Sequence, residues 1–164
     1  AWSTDMKGHW TAKKPILWTN CAVVKAFDLN VGNPMYSFGT ALAGPMTDMA
    51  LFESAAYSVA YPAAGIEVIL GGTTGNGADI DHTAGLHGQM VVDVTEVTSA
   101  LKRDKANEIV NKIVSMYEDK YDAPPRGVTF QECYDVVKIE PKPEFVALYD
   151  KVKTELGRMG VPFK

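Results

Sequence analysis

Two cysteines and three histidines are all that 164 residues offer as soft metal ligands. Cys21 and Cys133 stand far apart and cannot build a zinc site by themselves. Nor do two cysteines make the disulfide framework of a small secreted domain, so the expectation is two reduced thiols in a cytoplasmic protein. No apolar run reaches the roughly 18 residues that suggest a membrane span. The N-terminus, Ala1-Trp2-Ser3-Thr4-Asp5, lacks the pattern of a signal peptide. It opens on Ala rather than Met, which is read as processing or truncation. Basic runs are missing as well. The 16 Lys and Arg residues are scattered among 20 Asp and Glu, for a net charge of −4. Without a concentrated positive patch, neither nucleic acid nor an anionic membrane is an expected partner.

What is present is the composition of one ordinary globular domain, 46% hydrophobic and 22% charged. Residues 1–102 read as alternating strand and helix. A short, poor strand is expected around 6–12. A helix follows over 17–29, with Leu17, Cys21, Val24 and Phe27 at helical spacing. Gly32-Asn33-Pro34 breaks the chain before a buried strand over 35–42. Gly44-Pro45 turns into a helix over 46–61 that is expected to stop before Pro62. The clearest strand is 66–70, followed by a glycine loop over 71–77 and a helix over 83–101. Three strand-then-helix units in series predict a parallel sheet with helical crossovers. A doubly wound sheet and a (β/α)8 barrel both fit that pattern.

The texture changes after residue 102. An amphipathic helix is expected over 104–121, a linker over 122–127, and a short irregular piece over 129–136. A closing helix over 144–158 follows, with Phe145, Leu148, Tyr149, Val152 and Leu156 as its apolar stripe. Gly157 or Gly160 ends it. This part reads as a helical appendix. Three βα units cannot close a barrel, which takes eight strands and about 250 residues. Standing alone, they would leave both sheet edges bare. The chain is therefore expected to be a fragment, or one part of a barrel completed by other polypeptide.

Sites in parallel α/β folds lie at the C-terminal ends of the strands. That rule nominates three places: residues 9–13 around His9, residues 37–40, and residues 71–87. In the second, Ser37, Phe38 and Thr40 are candidate substrate contacts. In the third, Gly72 and Thr73 join them. The bare amides of the glycine loop suit an anion, yet the loop lacks both the P-loop ending and the dinucleotide fingerprint. A loop bordering a site and a plain surface connection remain the other readings. Beyond it, Asp79, Asp81, His82 and His87 are candidates for acid-base work. Asp81 also suits a helix N-cap. His82 and His87, five apart, miss the i, i+4 spacing of a zinc pair, so no metal is expected. No serine elbow, Cys–His pair or paired-carboxylate motif stands out.

One segment is distinctive. Thr129-Phe130-Gln131-Glu132-Cys133-Tyr134-Asp135-Val136 resembles a stretch near the C-terminus of the monomethylamine methyltransferases. Ile113-Val114-Ser115-Met116-Tyr117-Glu118 looks like the helix that precedes it there, and Ala123-Pro124-Pro125-Arg126-Gly127 like its linker. Upstream, Gly44-Pro45-Met46-Thr47-Asp48-Met49 with Glu53-Ser54-Ala55 resembles a family helix start. Asp81, Thr83 and Gly85 resemble the approach to the last barrel helix.

The resemblance implies an α/β fold in which residues 1–102 are the last βα units of a (β/α)8 TIM-type barrel. Residues 103–164 are then a helical C-terminal extension. It implies methyl transfer from a methylamine, or a related donor, to the cobalt of a cobalamin-type corrinoid presented by a partner protein. No cofactor is bound directly. Other implied partners are the polypeptide carrying the rest of the barrel and further copies in an oligomer. The family's reactive pyrrolysine lies upstream of the matched part. Phe38 stands where the family has a glutamine, and His87 where it has a glutamate. Asp81 and His87 are the expected catalytic residues. Ser37, Phe38, Thr40, Gly72 and Thr73 are the expected substrate contacts. The alternative is a non-catalytic subunit that completes the barrel or serves its assembly.

The bare edges of so few parallel strands predict self-association of the isolated chain. Sizing should find oligomer or aggregate, and a monomeric peak with a sharp cooperative melt would count against the partial-barrel reading.

Overall fold

The fold is given by a computed structural model that describes residues 12–163. Of the first expected strand only Ala12 is described, and His9, Trp10 and Thr11 lie outside the described residues. Helix α1 spans Lys14–Asn30 and starts with Pro15 in its first turn, where a missing N–H costs nothing. Strand β1 (Tyr36–Thr40) leads into α2 (Asp48–Ala64), and β2 (Val68–Thr73) leads into α3 (Gly85–Thr98). The two strands pair in parallel, as their helical connections require. The molecule is thus α/β, with its helices packed on one face of the described sheet.

Helix α2 is the centre of the molecule. Residues from Met49 through Val59 are all buried, as for a helix surrounded on every side. Its start is fixed by the Thr47 hydroxyl, which accepts the Ala50 N–H at 3.2 Å. Its end runs past the expected stop. Pro62 lies inside the helix, which continues to Ala64 and closes on Gly65 at φ 101°. A proline removes the N–H that would reach the carbonyl four residues back. Here that carbonyl, Ser58 O, is approached at 3.5 Å by the Thr98 hydroxyl of α3.

Helix α4 (Arg103–Val114) is shorter than the sequence suggested. Tyr117 leaves helical geometry and turns into the core, where its hydroxyl donates to Ala12 O at 2.9 Å. The rest of the expected helix becomes a 3-10 turn at Glu118–Lys120. A short α5 (Phe130–Cys133) follows, then a two-residue hairpin, β3 (Tyr134–Asp135) against β4 (Glu140–Pro141). Thr129 and Glu132 form a capping box at the start of α5. The closing helix α6 (Pro143–Met159) buries Phe145, Tyr149, Val152 and Leu156, the expected stripe without Leu148, which is only partly buried. Gly160, at φ 111°, ends it. Asp93 of α3 clamps α6 by accepting from Tyr149 Oη and Lys153 Nζ.

One hydrophobic cluster joins Leu17 and Val24 of α1, most of α2, and Met90 and Val94 of α3. It also takes in Ile109 and Ile113 of α4 and Val152 and Leu156 of α6. The helical extension is therefore continuous with the core of the βα units. No helix among the described residues is long and apolar enough to cross a membrane.

Leu156 is fully buried in that shared core. Leu156→Ala is expected to cost about 2–5 kcal/mol, measured by urea denaturation. A change within error would show that α6 is not docked in solution.

Candidate functional site

Alternation along β1 puts Tyr36, Phe38 and Thr40 on one face of the sheet and Ser37 and Gly39 on the other. The second set faces the helices. Ser37 is fully buried and bonds the hydroxyl of Tyr61. The first set turns away from them. Tyr36, Phe38, Val68 and Leu70 are between 43% and 56% exposed, and the register pairs Tyr36 with Val68 and Phe38 with Leu70. A parallel sheet is ordinarily covered on both faces, so this half-exposed apolar face is unusual.

At the C-terminal end of the strands the register slips. Phe38 pairs with Leu70, but Thr40 pairs with Thr73, so β2 carries one extra residue between those pairs. Such a bulge turns the following side chain to the opposite face. Thr73 consequently meets Thr40 across the strands, hydroxyl to hydroxyl at 3.1 Å. The bulge falls on Gly71-Gly72, with Gly72 at φ 91°. The expected strand 66–70 therefore starts two residues later and runs to Thr73, and the loop begins only at Thr74.

That loop is not an anion cradle. The amides of Gly75, Asn76 and Gly77 donate to the carbonyls of Ala43, Ala41 and Thr74 at 2.9–3.1 Å. It folds back on the segment after β1 and lies close beside Thr40, which is left only 9% exposed.

Asp81 and His87 sit elsewhere. Asp81, at φ 59°, offers its carbonyl to Phe130 N–H at 2.7 Å and its carboxylate to Gln131 Nε2 at 3.1 Å. It does not cap α3. The N-cap is Ala84, without a side-chain bond, and the first-turn amide of Leu86 donates to the Tyr134 hydroxyl at 3.0 Å. His87 is fully buried in that first turn, its ring centroid 5.5 Å from that of Phe145, and neither ring nitrogen has a partner among the described residues. Burial pushes its pKa down to about 3, so the imidazole is neutral. The structure thus brings Phe38, Thr40, Gly72 and Thr73 together at the strand ends. It places Ser37 in the layer beneath them, and Asp81 and His87 at the junction with the extension.

Two buried groups were not singled out from the sequence. Glu53 of α2 is fully buried and accepts the N–H groups of Leu42 and Ala43 at 3.1 and 3.0 Å. It holds the segment that leaves β1. Burial outweighs those two donors and pushes its pKa up to about 8. Tyr57 lies against the strand glycines, and its hydroxyl accepts the Gly72 N–H at 3.0 Å. Gly39 and Gly71 were the available signal, because a glycine inside a strand marks a close approach. Among the described residues no three His, Cys, Asp or Glu side chains gather closely enough to hold a metal ion.

His87 and Glu53 act on stability with opposite sign. The His87 pKa is lower in the fold than in the unfolded chain. Its contribution is full above about pH 6.5 and is lost as pH falls toward about 3. The Glu53 pKa is raised, so its contribution is lost as pH rises from about 4.5 through about 8. Going from about pH 7 to about pH 5, His87 should remove roughly 2 kcal/mol and Glu53 should restore a similar amount, so the two nearly cancel in the unmodified protein. Acidification over that range should therefore stabilise His87→Leu, which keeps only the Glu53 contribution, and destabilise Glu53→Gln, which keeps only that of His87. Urea midpoints at the two pH values measure both, and a His87→Leu variant with the same pH dependence as the unmodified protein would contradict the assignment.

Comparison with known proteins gives this geometry a family. The sequence model described as Monomethylamine methyltransferase MtmB matches residues 6–161. The chain is 36% identical over 144 residues to monomethylamine methyltransferase MtmB1 of Methanosarcina barkeri, a match covering 87% of this chain and 31% of that protein. It is 35% identical to the Methanosarcina mazei protein named monomethylamine methyltransferase MtmB, with the same coverage. The crystal structure of the Methanosarcina barkeri enzyme superposes with a TM-score of 0.83 at 32% identity, over 90% of this chain and 32% of that one. A crystal structure of the hydroxylamine complex of MtmB gives the same values. The chain spans about a third of the length of these relatives. With its strand pair, its extension and nearly its whole length inside the match, this chain belongs to the monomethylamine methyltransferase family.

Proposed function

We propose that this chain is the closing part of a (β/α)8 barrel, with residues 103–164 as its helical extension. The whole barrel would transfer a methyl group from a methylamine to the cobalt of a corrinoid held by a separate protein. The observation that carries the reading is the family match over residues 6–161. The half-exposed apolar face of Tyr36, Phe38, Val68 and Leu70 agrees with a barrel, because inward-facing strand residues of a barrel are covered by those of the other strands. The reading places the protein in the cytoplasm.

In this reading the donor lies over the strand ends. Phe38 and Leu70 form an apolar floor, and the Phe38 ring suits a methylated ammonium, which a ring face attracts. The Thr40 and Thr73 hydroxyls accept from the ammonium N–H groups at its edge. A reduced cobalt held by the separate protein would supply the electron pair for the new bond to carbon, and the C–N pair would leave with the amine. The chain's own residues orient the donor and exclude water. Asp81 and His87 serve by holding the loop and the start of α3, since one is engaged with Gln131 and the other is sealed from solvent.

A second reading is a barrel-completing chain that contributes no reacting contact. The burial of His87 and the engagement of Asp81 favour it. Phe38→Ala and Thr73→Ala separate the two. With the completed barrel and the corrinoid protein present, each should lower cobalt methylation, followed by absorbance, by about tenfold, the effect of losing roughly 1.4 kcal/mol of contact energy. Unchanged rates in both, on folded protein, would leave the second reading.

A further inference from the structure

We propose that Tyr57 is the positioning residue of the strand-end site: it holds the β2 bulge that turns the Thr73 hydroxyl toward Thr40. The inference rests on the reading that the donor binds at these strand ends.

The register carries the argument. Tyr36, Ser37 and Phe38 pair with Val68, Ile69 and Leu70 at a constant offset. Continued without a break, that offset would set Gly72 opposite Thr40, and no hydroxyl would face it. The one extra residue replaces the glycine with Thr73. What the bulge needs is a partner for its displaced amide and room for its backbone. Tyr57 provides the partner, since its hydroxyl accepts the Gly72 N–H at 3.0 Å. The glycines provide the room. A Cβ on Gly39 would fall 2.2 Å from the Tyr57 ring and one on Gly71 3.0 Å from it. A Cβ on Gly72 would fall 2.8 Å from the Gly88 backbone of α3. The ring is clamped in turn, stacked on Tyr61 with centroids 5.8 Å apart. Tyr57 is fully buried on the helix side of the sheet, and its hydroxyl reaches the site through Gly72. Burial pushes its pKa up to about 12, which keeps it a neutral phenol able to accept that N–H.

The test is a double-mutant cycle in the full assembly, with methylammonium as the donor and a corrinoid protein as acceptor. Tyr57→Phe keeps the ring on its glycines and removes only the acceptor. It should melt cooperatively, shift the Gly72 amide resonance and increase the exchange rate of that amide. Thr73→Ala should lower methyl transfer by about tenfold. Tyr57→Phe should lower it by a similar factor, and the two together should cost no more than either alone, because they remove the same contact. Independent, multiplying effects would overturn the inference while the site stands, as would a Tyr57→Phe variant of unchanged rate. An unchanged rate in Thr73→Ala would remove the strand-end site itself, and the inference with it. The unmodified protein gives a reading that needs no variant to fold: its Gly72 amide should exchange slowly, and rapid exchange would overturn the inference.

Discussion

The side chain of Tyr57 fills a slot that only glycine can leave open. Gly39 and Gly71, neighbours on paired strands, present bare backbone to its ring. This brings α2 close against the sheet and fixes the depth of the whole helical layer. A helix held at that depth is covered on all sides, so its polar residues must be satisfied inside the protein. Ser54 and Ser58 turn back to carbonyls of their own helix, and Glu53 collects two N–H groups from the segment after β1. From α1, Asn20 donates to the Tyr61 hydroxyl, which donates to Phe38 O. The sealed face of the sheet is thus a polar lattice set in an apolar core. Its bonds end on the backbone of β1, of β2 and of the segment after β1.

The extension works on the same loops from outside. Gly44 and Gly127 cross at a distance that admits no side chain, since a Cβ on either would collide with the other segment's backbone. Gly44 donates to Pro125 O, and Val128 donates to Pro45 O. Tyr134 caps α3 where no side chain of α3 itself does so. Asp81 is tied to α5 through Phe130 and Gln131. A second small core of Ala84, Cys133, Tyr134 and Phe145 closes the contact.

Most of the architecture was legible in the sequence because periodicity reports burial. The stripe of α6 gave four core residues correctly, and the two strand-then-helix units were found within a few residues of their ends. What periodicity misses is a residue acting across space. Pro62 looked like a helix stop, yet the helix runs on two residues and closes on the left-handed Gly65. The helix expected to reach residue 121 stops early because Tyr117 finds Ala12. At the strand ends the loop-end rule nominated Phe38, Thr40, Gly72 and Thr73, which the structure brings near one another. It could not show that Ser37 points the other way, or that the loop's amides are already used. His87 was read as reactive from its residue type, its place after a strand and its standing where the family has a glutamate, none of which reports that the ring is enclosed against Phe145.

The two faces of the sheet finally have different requirements, and that difference locates the chemistry proposed for this chain. The helix side is closed and internally bonded, so a substituent introduced there must displace packed atoms. The opposite side presents four large apolar side chains and ends in a pair of hydroxyls. Such a surface gains from being covered, and the hydroxyl pair is the polar feature at its rim. Covered by further strands, it would become an apolar-lined interior with hydroxyls at its mouth. A small methylated cation fits such a mouth because its methyl groups favour the apolar floor while its N–H groups need acceptors. Precision at the mouth then depends on the β2 bulge, and the bulge on the slot between Gly39 and Gly71. Geometry at the proposed reacting end is therefore decided by a tyrosine that no donor would touch.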